Sequence, residues 1–381
     1  MQQVVLNIPD KVFMGTDSLW RIAEEAVKYG KRALIVTEAN VSDAGIPKRI
    51  IKILESKGVS AIVYNNIGPG TTIEAIDEAA TLAKIGKAQL VIGVGGLKTM
   101  SIARGVALLT ASELTSLEFI DGGHPHKVLP MLSVPTASRD PFLFKDKIML
   151  IDNRNRSCRL HSTSDNFPAA VFFEPGLSES IPSETFSFVV METLMHAIEG
   201  YMSTKSNFLS ESLFLKAISS VVTTSRQMTD DSADPEIHER ASKAGFVTAL
   251  GLSMAGPGFG TALSMIISAK IKAPRVLISA IVLPVVLEYG IRVCPEKIAR
   301  IAPILGEVQD ELPILARAEK VVEIIRHRIG LKRVQLRLSE FGLKVDDLPS
   351  VAEAVRNFDF ISQLPSVLTT EDLVLMLKKI L

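Results

Sequence analysis

Two stretches of the chain carry residue types that could do chemistry. In Met191-Glu192-Thr193-Leu194-Met195-His196-Ala197-Ile198-Glu199-Gly200-Tyr201, a carboxylate and an imidazole stand four residues apart. On one helix, Glu192 and His196 project to the same side. That pair is half of a site for a divalent metal; the plainer reading is a hydrogen-bonded, partly buried histidine beside a helix-surface glutamate. The second stretch, Gly93-Val94-Gly95-Gly96-Leu97-Lys98, follows an apolar run and precedes a helical pattern through Ser101, Ala103 and Arg104. Glycines at a strand-to-helix turn let the backbone come close to a phosphate, whose charge the helix N-terminus favours. A tight turn without a ligand explains the same glycines, because the full dinucleotide fingerprint is not present.

The elements that must position these residues are readable from periodicity. Buried-strand runs at 32–37, 61–64 and 88–94 alternate with helical patterns at 41–57 and 72–85. Such alternation predicts a parallel sheet flanked by helices, which binds ligands beyond the carboxyl ends of its strands. After about residue 175 the strand signals stop. Pro182-Ser183-Glu184-Thr185 predicts a helix start with Ser183 as N-cap. Helical patterns follow at 186–203, 209–228, 236–252, 262–270, 277–290, 296–305 and 314–329, with shorter ones near the C-terminus. The expected architecture is α/β plus all-α: an N-terminal Rossmann-like parallel-sheet domain (1–174), then an all-helical domain (175–381), with the hinge at Glu174-Pro175-Gly176.

Composition narrows the class. With 381 residues, 47% of them apolar and 22% charged, two folded domains are the expectation. Lysine plus arginine equals aspartate plus glutamate at 42 each, which gives no electrostatic footprint for nucleic acid or an anionic membrane. Cys158 and Cys294 lie far apart and read as reduced thiols. The first ten residues lack the pattern of a signal peptide. The apolar run 276–287 is about half the length of a bilayer span, and Pro284 interrupts it. A soluble, cytoplasmic protein with a small-molecule substrate is expected.

The run from Gly93 to Arg104 resembles the nucleotide-binding turn of the iron-containing (group III) alcohol dehydrogenase superfamily. That superfamily includes glycerol dehydrogenase, glycerol-1-phosphate dehydrogenase and dehydroquinate synthase. Its usual form has glycine where Leu97 stands, aspartate at Ser101 and lysine at Arg104. Further similarities run along the chain. Met14-Gly15 resembles the family's opening. Thr37-Glu38 stands where the family often places an acid on the adenosine ribose. Gly68-Pro69-Gly70-Thr71-Thr72 resembles the segment leading to the glycine turn. Pro135-Thr136 matches the start of a second cofactor loop, continued here by Ala137-Ser138-Arg139-Asp140-Pro141, nearer to the polyol branch. Glu174-Pro175-Gly176-Leu177 and Pro182 match the domain junction. The resemblance implies a dehydroquinate synthase-like fold. It also implies cofactor contacts from Glu38, Gly95, Gly96, Leu97, Lys98, Thr136 and Ser138.

The segment 191–201 is the most specific match. In the family an aspartate at position 192 and a histidine at 196 are metal ligands. The second metal motif aligns with Ser253–Ala262 and puts Thr261 at a histidine's place, while Met265 replaces another histidine. The third aligns with Pro274–Pro284 and puts Arg275 where histidine should be. One ligand is kept, one is swapped and two are lost. Arginine offers no lone pair and its fixed charge repels a cation, so a family-type divalent metal site at Glu192 and His196 is expected to be vestigial. Arg275 is expected instead to pair with Glu192 and take over the metal's structural role.

Two functions follow as expectations. One is an NAD(P)-dependent oxidoreductase acting on an alcohol, polyol or aldehyde without the metal. His196, Arg275, Asp140 or Lys98 would then stabilise the alkoxide or move its proton. Glu38 favours NAD over NADP, because a carboxylate there repels a 2′-phosphate. The other is a catalytically inactive relative that keeps the fold as a nucleotide-binding or assembly protein. The family commonly forms dimers or larger assemblies, so a homo-oligomer is expected.

Overall fold

In a computed structural model the described residues are 4–68, 72–137, 139–152, 154–163, 167–228, 234–306, 311–331 and 337–381, the side chains of Ser183 and 328–331 excepted. Eight strands are formed among them: β1 (Val12–Met14), β2 (Arg32–Thr37), β3 (Ser60–Tyr64), β4 (Leu90–Gly95), β5 (Met131–Pro135), β6 (Lys147–Asp152), β7 (Ser157–Ser162) and β8 (Ala170–Phe173). Six of them make one parallel sheet in the order β1-β8-β5-β4-β2-β3. Its central strands are apolar on both faces because helices cover both faces. Leu34, Val36 and Val91 pack against Ile73–Ile85 and Leu97–Thr110 on one side. Ala33, Ile35 and Ile92 pack against Ile22–Ala26 and Ile46–Glu55 on the other.

From β2 the chain moves outward to β3, then returns past β2 to β4. The reversal leaves a crevice between the carboxyl ends of β2 and β4, where open α/β sheets bind ligands. Thr37 closes β2 and Gly95 closes β4, so Glu38 and the glycine turn meet at that crevice.

Several expectations need correction. The single helix expected over 41–57 is two, Ala39–Asp43 and Ile46–Glu55, because Gly45 adopts φ 78° and Pro47 opens the next helix. The helix expected over 296–305 is likewise two short pieces, Pro295–Ala299 and Ala302–Leu305. The antiparallel hairpin β6–β7 gave no readable signal. Ser183 is the first residue of its helix and not the N-cap.

The described residues pack as two units, residues 7–182 and residues 183–381 with 4–6. The junction falls after the turn Pro175–Ser180 and not at Glu174, since Leu177 of that turn packs into the sheet's core. Glu174 belongs to the same unit. Its carboxylate accepts the Leu19 N–H (3.1 Å) and pairs with Arg49 (2.6 Å).

The second unit is helical, as expected. Its principal helices are Ser183–Met202, Phe208–Gln227, Pro235–Ala255, Phe259–Ile271, Arg275–Val293 and Ile314–Leu331. Pro284 stays inside Arg275–Val293, which is long and apolar enough to cross a membrane, contrary to the shorter run read from sequence. Two-thirds of its apolar window is buried within the protein, the situation of a core helix.

Candidate functional site

The glycine turn is built by close packing. A Cβ on Gly93 would lie 2.9 Å from the Ala103 Cβ, so glycine lets the following helix sit against β4. A Cβ on Gly95 would lie 2.6 Å from the Thr99 hydroxyl. Gly96 differs, because a Cβ there would meet nothing within 4 Å. It precedes Leu97–Thr110, whose N-terminus has no side-chain cap. Open space above a bare helix start fits a dinucleotide's pyrophosphate. Leu97, bulky where the family has glycine, is buried.

The other predicted cofactor residues gather at the same strand ends. The Glu38 carboxylate accepts from the Thr99 hydroxyl at 2.6 Å. Lys98 donates to the Gly68 carbonyl. Burial holds the Lys98 ammonium below its ordinary range, with Glu38 opposing the shift. Thr136 donates its N–H to the Gly95 carbonyl (3.2 Å), so the loop after β5 starts beside the turn. Ser138, with Pro69 to Thr71, lies outside the described residues. Asp140 is only 2% exposed, and its Oδ1 accepts the Phe142 N–H at 2.8 Å. That bond ties one carboxylate oxygen into its own loop.

In the helical unit, Glu192 and His196 occupy adjacent turns of Ser183–Met202, both buried. Arg275 opens the Arg275–Val293 helix and lies 3.0 Å from the Glu192 Oε1, with its other terminal nitrogen 3.3 Å from Oε2. Ser279, one turn further, donates to Glu192 Oε1 at 2.9 Å. Thr261 turns elsewhere. Its hydroxyl donates to Glu199 (2.5 Å), which also accepts the N–H groups of Gly260 and Thr261. Glu199 thus caps the Phe259–Ile271 helix from a distance. Burial pushes its carboxyl up to about 7, against the pull of those hydrogen bonds.

This donor set does not fit a divalent ion. A guanidinium bonded to the carboxylate supplies charge without a lone pair, and a threonine hydroxyl committed to a glutamate is a poor ligand. Among the described residues no three His, Cys, Asp or Glu side chains come together as a metal site.

Sequence reading missed Glu199, Ser279 and Thr99. The first two were accessible in principle, because Glu199 follows His196 by three residues and Ser279 follows Arg275 by four, on shared helix faces. Thr99 needed the register of β2 against β4, which periodicity does not give.

Comparison with known proteins gives the family. The iron-containing alcohol dehydrogenase family matches residues 9–175, and the family's C-terminal portion matches residues 188–381. Lactaldehyde reductase of Escherichia coli (strain K12) is 21% identical over 98% of this chain and 97% of its own. An archaeal halo-thermophilic Red Sea brine pool alcohol dehydrogenase superposes with a TM-score of 0.89 at 20% identity over the whole of both chains. Sulfoacetaldehyde reductase from Bifidobacterium kashiwanohense, solved in complex with NAD+, superposes at 0.83 with 16% identity, covering 100% of this chain and 99% of its own. The chain belongs to the iron-containing alcohol dehydrogenase family.

Proposed function

We propose that the chain is an NAD(P)-dependent oxidoreductase of the alcohol, polyol or aldehyde class that works without the family's divalent metal. The observation that carries this reading is Arg275 set against Glu192 at 3.0 Å, a fixed charge where the family holds an ion. The names of its relatives, lactaldehyde reductase and 1,3-propanediol dehydrogenase among them, support small alcohols and aldehydes as substrates.

A bound nicotinamide dinucleotide would supply the hydride chemistry. Gly95, Gly96 and the start of Leu97–Thr110 would hold its pyrophosphate, with Thr136 flanking. Glu38 favours NAD, since its carboxylate stands just after β2, where a 2′-phosphate would be repelled. Charge on the substrate oxygen would fall to protein donors, with Arg275 as the cationic candidate and His196 as the proton carrier. Exposed Met14, on the edge strand β1, and exposed Trp20, in the turn Ser18–Arg21 that follows, suit a homo-oligomer.

One observation favours a second reading. Glu192, His196 and Thr261 are each at most 1% exposed, which leaves little for a substrate to touch. A catalytically inactive relative that retains dinucleotide binding or an assembly role would look the same. Assays of alcohol panels with NAD(P) and aldehyde panels with NAD(P)H, run in chelator, separate the two. Turnover in chelator supports the first reading, and dinucleotide binding without turnover on any panel supports the second. Turnover that appears only on adding zinc or iron contradicts the metal-free claim.

A further inference from the structure

The helix that begins at the glycine turn carries a buried arginine that the cofactor contacts do not use. Arg104 is 3% exposed. Its Nη1 donates to the Lys145 (2.9 Å) and Lys147 carbonyls, and its Nη2 donates to the Phe142 and Leu143 carbonyls, both at 3.0 Å. Three of these acceptors lie in the segment that leaves β5 and leads into β6, and the fourth, Lys147, is the first residue of β6.

That segment lies outside the six-stranded sheet. Its described residues form turns and bends, and β6 pairs as a strand with β7 in a separate two-stranded sheet. Buried carbonyls still need donors. A guanidinium presents N–H groups in a planar fork and can serve several carbonyls at once, whereas an ammonium is a single point of donation. The charge is balanced from the same segment, because the Asp140 and Asp146 carboxylates oppose the effect of burial on Arg104. Two more side chains join in. Ser101, one turn before Arg104, accepts the Met149 N–H at 3.1 Å, and Thr72 accepts the Ile151 N–H at 2.5 Å. Ser101 and Arg104 stand at two of the positions where this chain departs from the family's usual turn.

We propose that Arg104 is a positioning residue for the dinucleotide: it sets the loop after β5 against the helix that presents Gly96. The loop is anchored at one end by Thr136 on Gly95 and at the other by Arg104. A loop fixed in this way meets its ligand already ordered, so binding does not bear the ordering entropy. This rests on the oxidoreductase reading above for the identity of the ligand.

Arg104→Lys keeps the charge and loses the fork. The test measures NADH affinity by calorimetry and amide exchange on the same protein. Expected are at least a ~10-fold rise in the NADH Kd and at least ~10-fold faster exchange at Phe142, Leu143 and Lys145, with β4 and the Ser183–Met202 helix unchanged. With turnover, KM for the dinucleotide should rise more than kcat falls. If Arg104→Lys does not fold, Ser101→Ala serves instead, with faster exchange at Met149 and a Kd raised about threefold. Unchanged loop exchange in the variant would overturn the proposal, as would a loosened loop with unchanged NADH affinity. A wild-type chain that binds no dinucleotide would overturn the oxidoreductase reading together with it, whereas normal wild-type binding with an indifferent variant overturns this proposal alone.

Discussion

Arg275 holds a fixed positive charge 3.0 Å from a glutamate with no solvent exposure, on a side chain itself 12% exposed. Removing Glu192 alone strands that charge, and removing both leaves a cavity without an unpaired ion. Glu192→Ala should therefore destabilise the fold by roughly 3–5 kcal/mol, and more than the double variant Glu192→Ala with Arg275→Ala. Equilibrium denaturation of the variants checks this, and a double variant clearly worse than the single one would remove the pairing. Glu199 gives a second prediction. Its carboxyl is pushed from 4.5 to about 7 by burial, so the folded chain holds the proton more tightly than the unfolded chain. The stability this confers is full below about pH 4.5 and is lost as pH rises through about 7, on the order of 3 kcal/mol in all. Glu199→Gln should flatten that slope in denaturation midpoints measured between pH 5 and 8. An unchanged slope would mean another group carries it.

At the scale of elements, the phosphate role proposed for Gly96 separates binding from folding. Its backbone, φ −97° and ψ −166°, is open to any residue, and a side chain there meets nothing within 4 Å. Gly96→Val should leave the melting temperature nearly unchanged and weaken dinucleotide binding at least ~10-fold, because the branched side chain fills the phosphate's approach. Gly95→Val should do the reverse first, destabilising the turn through its clash with Thr99. Thermal melts paired with NADH titration distinguish the two. The strands around this turn were legible because β2 and β4 are buried on both faces and read as continuous apolar runs. The β6–β7 hairpin was not legible. Ser157–Ser162 is mixed in character, and the hairpin is held by Ser101, Thr72 and Arg104 from distant positions in the chain. The site divides in the same way. Glu192 and His196 declare themselves by helical spacing, whereas the contacts of Thr99 with Glu38 and of Thr261 with Glu199 depend on packing between elements far apart in sequence.

For the whole molecule, both units follow the family's architecture, and we propose that Arg275 and Ser279 on Glu192 take over the metal's structural place. A protein stabilised in that way should melt at the same temperature with and without a strong chelator, and should show no rise on adding zinc or iron. The most direct test of the central claim is calorimetric titration of chelator-treated protein with NAD, NADH, NADP and NADPH, alongside elemental analysis of the same sample. The account predicts sub-millimolar binding of at least one dinucleotide, NAD(H) tighter than NADP(H), with no stoichiometric transition metal present. Absence of binding at millimolar cofactor, or binding restored only by zinc or iron, would contradict it.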